Sequence, residues 1–200
     1  RDCAPADLGR GMTLAAPGVY HSTVGCVAHF VNDSSAYTFK RNTDVKLHVG
    51  TAQLNASMRL LTADTLPPGA DAFVHLRLDT PRLLASGDRF VLRRPSPAMT
   101  LGGGVVLSAE DYKVRRTAPG LAERLAESLN AVRERRWLLA AALAERDPIL
   151  KDVDARRLTQ CIEDAATAAL DAEADCGGVQ RLGNDGWLVS ARAGEVARLL

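Results

Sequence analysis

The chain has 200 residues, 46% hydrophobic, 24% charged and 4% aromatic, and its 25 Lys and Arg stand against 24 Asp and Glu for a formal net charge of +1. That length holds one large or two small domains with ordinary cores. The even charge argues against a broad electropositive RNA surface, because phosphate binding draws on clustered Lys and Arg, and the scarcity of aromatics argues against a base-stacking platform.

Residues 1–18 read as a short strand-like stub and a turn rich in Gly and Pro. From Val19 the pattern becomes period-two: Val19, His21 and Thr23, then Val27, His29 and Val31, up to the turn cluster Asn32-Asp33-Ser34-Ser35. Arg41–Asp44 reads as another turn. Val45, Leu47 and Val49 alternate with Lys46 and His48, Leu54–Leu61 continues in the same manner, and Leu66–Asp71 breaks it. Phe73–Leu78 alternates again, and Pro81–Ser86 reads as a loop. Short strands with turns between them predict a small barrel or sandwich.

Gly87–Leu107 is the most distinctive stretch. A strand, Arg89–Arg93, meets the Pro95 and Pro97 loop, and Gly102-Gly103-Gly104 then leads into Val105-Val106-Leu107. Adjacent glycines between apolar runs imply backbone that a Cβ would obstruct, so this pair of strands is expected to close a barrel. At Gly103, the middle of the run, a β-branched side chain is expected to destabilise the barrel by roughly 1–3 kcal/mol, the range for a residue forced into a sparsely allowed conformation.

The texture changes near Glu110–Pro119, which reads as a linker. Leu121, Leu125, Leu129 and Val132 then repeat at helical spacing. Trp137–Leu143 suits a second helix stopped by Asp147-Pro148, Asp154 a cap for a short helix with Leu158, and Ile162–Glu173 an Ala-rich helix. Val179–Leu182 and Trp187–Ser190 flank an Asn/Asp/Gly turn, a hairpin signal, and Ala191–Leu200 resumes helix. Helices followed by a hairpin are the order of a winged-helix domain.

Little in the chain carries chemistry. No G-x-x-x-x-G-K-[ST] phosphate loop exists, and the triple glycine precedes a strand rather than a helix. Ser108 has no G-x-S-x-G context. His21, Cys26 and His29 lack an evident fourth metal ligand, and His48 and His75 read as rim side chains on polar faces. Cys3, Cys26, Cys161 and Cys176 are scattered and read as free thiols of a reducing cytosol. No run is long and apolar enough to span a bilayer, and the start, Arg1-Asp2-Cys3, reads as that of an excised fragment.

Three segments carry a resemblance. Gly87, Arg89, Phe90, Arg93, Thr100, Gly102, Gly104, Val105 and Val106 stand in the order of the pattern that ends the third domain of elongation factor Tu-type GTPases. With GDRFVLR and SPAMTLGGGVVL around them, the stretch resembles the SelB family, the selenocysteine-specific elongation factors. Leu47–Ala52 followed by Met58–Leu61 is similar to a further third-domain pattern of that family, and Asp7–Gly11 with Leu14–Gly18 resembles the exit from its second domain. The resemblance implies an all-β barrel followed by a mainly helical winged-helix domain: the end of domain II at 1–18, domain III at 19–109, a linker at 110–119 and a winged helix, truncated or whole, at 120–200. It implies a non-catalytic, cytoplasmic part of a translational GTPase, whose GTP and Mg would sit in a domain absent from this chain, with no cofactor or metal here. The partners implied are selenocysteinyl-tRNA, the ribosome and, through more distant modules, a selenoprotein mRNA hairpin, with no membrane and no DNA. RNA-contacting candidates are Arg93 and Arg94 at the strand end and Arg156, Arg157 and Arg181 in the winged helix. The alternative is a winged-helix DNA-binding regulator with a β-barrel effector module; the acidic Ile162–Glu173 helix speaks against groove insertion. A standalone hydrolase would need a catalytic constellation that the sequence lacks.

Overall fold

The computed structural model describes residues 9–15, 20–109, 114–145, 147–151, 158, 163–183 and 186–197. Six antiparallel strands close into a barrel: β1 (Ser22–Asn32), β3 (Asn42–Val49), β4 (Ala52–Leu60), β6 (Asp71–Leu83), β7 (Arg89–Arg94) and β8 (Met99–Ser108), in the order β1-β6-β4-β3-β7-β8 with β8 paired back to β1. The alternation sets the faces. On β4, Ala52, Leu54, Ala56, Met58 and Leu60 are buried, while Gln53, Asn55 and Ser57 point to solvent. A small sheet, β2 (Phe39–Lys40) with β5 (Thr65–Leu66), closes one end of the barrel. The buried Asn32 side chain ties it on: its amide donates to the carbonyls of Tyr37 and Leu66, and its oxygen accepts from the backbone N–H and hydroxyl of Ser34. A buried amide is tolerated here because each group has a partner.

Two sequence expectations change. The Pro81–Ser86 loop is shorter than expected, because β6 runs on to Leu83. Its pairing with β1 is irregular there, the register jumping between Thr23 opposite Arg82 and Gly25 opposite Arg77, so Pro81 sits where the ladder is already broken. The turn at Arg41–Asp44 contracts to Arg41, since β3 begins at Asn42.

The triple glycine lies inside β8, between β1 and β7. Gly104 faces the interior against Phe90; a Cβ there would sit 2.2 Å from the His29 carbonyl oxygen and 2.5 Å from the Phe90 ring. At Gly102, whose φ is +150°, it would sit 2.0 Å from the Val31 carbonyl oxygen. At Gly103 it would meet only the Phe90 carbonyl oxygen, at 3.2 Å, on the outer face. The middle glycine thus needs no positive φ and meets no contact under 3.0 Å, and its neighbours Gly102 and Gly104 are the intolerant positions. The absent side chains let the Phe30 and Phe90 rings stack at 6.5 Å, with Phe39 edge-on to Phe30 at 5.2 Å.

The helical half contains α1 (Leu121–Arg133), α2 (Trp137–Ala144), β9 (Ile149–Lys151), α3 (Glu163–Asp175), β10 (Val179–Leu182), β11 (Gly186–Val189) and, after a 3-10 turn, the short α4 (Ala193–Val196). The three small strands pair antiparallel in the order β10-β11-β9, so the strand before α3 lies beside the second arm of the hairpin, as in a winged helix. The Asp154 cap lies outside the described residues, and Leu158 is buried. Every residue of α2 from Leu138 to Ala144 is buried, the signature of a helix enclosed on all sides. It packs on α1, α3, β8 and β11.

Barrel and helices share an apolar cluster: Val27, Leu61 and Leu107 from the barrel join Leu121, Leu125, Leu138 and Leu139. Each such Leu, moved out of water, contributes about 2 kcal/mol. Polar contacts frame it. Ser108 Oγ donates to Glu145 Oε1 at 3.0 Å, and Arg116 donates to the carbonyls of Leu61 and Ala63 and to Asp64. The Trp137 ring lies over Gly87. The core of the helical half is continuous with the barrel's outer face.

Gly104→Ala is expected to destabilise the chain by roughly 1–3 kcal/mol through overpacking, and Gly103→Ala by much less. Denaturant melts followed by Trp187 fluorescence and by β-sheet circular dichroism should shift together in Gly104→Ala. A Trp187 transition that stays put would show that the shared cluster does not couple the halves.

Candidate nucleic-acid interface

Arg93 and Arg94 end β7 just before the Pro95–Ala98 turn. Strand pairing gives Arg93 its neighbours: Lys46 lies directly opposite on β3 and Thr100 on β8. His48, two residues along β3 and on the same outer face, lies opposite Val91. Arg10 reaches the same region, its Nε donating to the Thr51 carbonyl at 3.3 Å. Lys46, His48, Arg93 and Arg10 thus converge on one side of a nearly neutral chain.

His48 registers this charge. Partial burial first, then the proximity of Arg93, Lys46 and Arg10, pushes its pKa below the ordinary 6.5. Among the described residues neither Lys46 nor Arg93 forms an ion pair, and the buried Nε of Arg93 has no hydrogen-bond partner. Arg94 is held differently: its guanidinium lies 5.5 Å from the centre of the Tyr37 ring, and Tyr37 is edge-on to Phe39. This contact fixes the side chain without neutralising it.

The winged-helix candidates fare unevenly. Arg156 and Arg157 lie outside the described residues. Arg181, on β10, is exposed and its guanidinium stacks 5.3 Å from the Trp187 ring, opposite it across the hairpin. Arg93 thus faces Lys46, its sequence neighbour Arg94 lies over Tyr37, and Arg181 sits on the separate β10–β11 hairpin. On α3, Glu173 is buried and turned inward to Arg136 Nη2 at 2.6 Å, an ion pair that raises the Arg136 pKa. His29 Nε2 lies 2.8 Å from Asp71 Oδ2. Complete burial pushes the Cys26 thiol up to about 12, so it remains a protonated core residue.

Lys46 and Arg10 were missed in the sequence. A strand shows which residues share its own face, but only the β3–β7 register places Lys46 beside Arg93. No sequence signal places Arg10 near His48.

Residues 26–113 match the family model described as the selenocysteine-specific elongation factor, beta-barrel domain. A selenocysteine-specific elongation factor from Desulfomicrobium baculatum is 35% identical over 112 residues, which cover 56% of this chain and 18% of that protein. The chain thus matches under a fifth of the length of this relative. Among the described residues no helix is long and apolar enough to cross a membrane.

Acidification should weaken this face. The folded chain disfavours the His48 imidazolium, so the unfolded chain takes up that proton first as pH falls, and stability present above the ordinary pKa of 6.5 is lost below it. Melts of the native chain and His48→Gln between neutral and mildly acid pH check this. The native chain should lose the more stability, and equal losses would mean that His48 does not feel the surrounding cations.

Proposed function

We propose that this chain is the non-catalytic section of a selenocysteine-specific elongation factor, its barrel supporting delivery of selenocysteinyl-tRNA to the ribosome; the match of residues 26–113 to the β-barrel domain of such factors supports the reading. The observation that carries the reading within this chain is the group Lys46, His48 and Arg93 beside Arg94 at the β7–β8 turn. A compact cationic cluster suits one stretch of RNA backbone, where each neutralised phosphate releases counterions. It asks for no broad basic surface, which a net charge of +1 does not provide.

In this reading 1–18 is the exit from a second domain, 19–109 the barrel, 110–119 the connection and 120–200 a winged helix. The helical half joins a GTP-binding body to more distant modules that hold the mRNA hairpin. GTP and Mg belong to that body, and the setting is the cytoplasm. Packing of α2 against the barrel supports a connector that holds its direction.

Filter binding of selenocysteinyl-tRNA tests the proposal. Arg93→Ala and Arg94→Ala should each weaken binding roughly three- to tenfold at low salt and make the salt dependence shallower by about one phosphate contact. Affinity unchanged in the double variant would overturn the assignment of this turn to RNA.

A further inference from the structure

A second basic region lies further round the outer surface of the barrel, across β4 and β6. Arg59 of β4 stands directly opposite His75 of β6, and Ser57 opposite Arg77. Asn42 and Asp44 of β3 extend these two rows on one side, Val27 and Gly25 of β1 on the other. Directly paired side chains in a sheet lie about 5 Å apart, and same-face neighbours along a strand about 7 Å apart. Arg59, His75 and Arg77 therefore converge, and they line an open groove of about 510 Å³ together with Asn42, Thr43 and Ser57.

Arg59 is positioned from behind: its Nη2 donates to the Val114 carbonyl, while its buried Nε has no hydrogen-bond partner. Neither Arg59 nor Arg77 makes an ion pair among the described residues. The groove holds two guanidiniums and several hydroxyl and amide groups, but no Phe, Tyr or Trp to stack a base. That composition fits sugar and phosphate rather than a free nucleotide's ring. A neighbouring groove of about 450 Å³ shares Asp44, Ser57 and Arg77 with the first and reaches Pro95, next to Arg94. Asp44 lines both grooves and Asp79, held by Asn55 at 3.1 Å, the second; the second groove therefore repels a polyanion, and only the first, with Arg59 and Arg77 against Asp44, carries an excess of cations.

We propose that Arg59, His75 and Arg77 form a second RNA-backbone site, separate from the β7–β8 turn, so that one RNA is held at two places around the barrel. The inference rests on RNA being the ligand of the chain but uses a separate set of side chains.

The test uses the full chain with a transcribed tRNA and a short RNA duplex, titrated across increasing KCl. The variants are Arg77→Ala, Arg77→Lys and Arg94→Ala, with ATP and inorganic phosphate as competitors. Arg77 is exposed and outside the core, so its variants should fold. Arg77→Ala should weaken tRNA binding roughly three- to tenfold and lower the salt slope by about one, and Arg77→Lys should recover most of both. If Arg94→Ala weakens binding while Arg77→Ala changes neither affinity nor slope, the second site falls and the turn stands. If neither variant matters, both fall. Displacement of RNA by micromolar ATP would overturn the backbone assignment in favour of a free-nucleotide site.

Discussion

The barrel depends on how closely β8 approaches its two neighbours. Phe30 and Phe90 stack across the space that side chains at Gly102 and Gly104 would fill, and the carbonyls of His29 and Val31 stand within 2.2 Å of where a Cβ would be. Closure requires both ladders of β8 to form over that bare backbone. With closure, β7 is held on both sides, by β3 and β8, and the rigid end of β7 presents Arg93 and Arg94. The position of the basic side chains is thus a consequence of glycine chemistry several residues away.

The junction with the helices follows a different rule. Packing there is apolar at the centre and hydrogen-bonded at the margin. Glu145 receives the Ser108 hydroxyl, and the nearly inaccessible Arg192 donates from Nη1 to the carbonyls of Glu145 and Asp147, at 3.0 and 2.9 Å. Carbonyls just beyond a helix C-terminus are natural partners for a guanidinium, because they lack acceptor roles within the helix and carry its negative end. On the barrel side, Arg116 and Arg41 both reach Asp64, and these hydrogen bonds hold its carboxyl below the usual carboxylate range. Asp64 is itself exposed, so the arrangement orients Arg116 more than it stabilises the fold.

The strands were legible because one face of each meets a core. Period-two alternation marks β3, β4 and the first part of β6 without further information. The glycine run announced barrel closure, yet which glycine mattered depended on the face each presents, and that follows from the pairing of β8 with Phe30 and Phe90. Arg93 and Arg94 could be picked from the end of their strand. Lys46, Arg59 and Arg77 could not, since each becomes part of a cluster only through cross-strand register. Arg192 was illegible for another reason: its burial depends on the end of α2, 47 residues earlier. The shared cluster also escaped notice, because an outward-facing Val27 or Leu107 gives no sign from local pattern that helices will cover it.

A helix buried from its second residue to its last behaves as a mechanical joint. Since α2 packs on α1, β8, α3 and β11, it has little room to roll without opening a void, and dense interiors resist voids. Rotation of the barrel should therefore be delivered to the β10–β11 hairpin as a swing of the whole helical block. A few degrees at the barrel become a displacement that grows with distance from the pivot, so whatever is attached beyond the hairpin senses the orientation of the barrel as a change in reach.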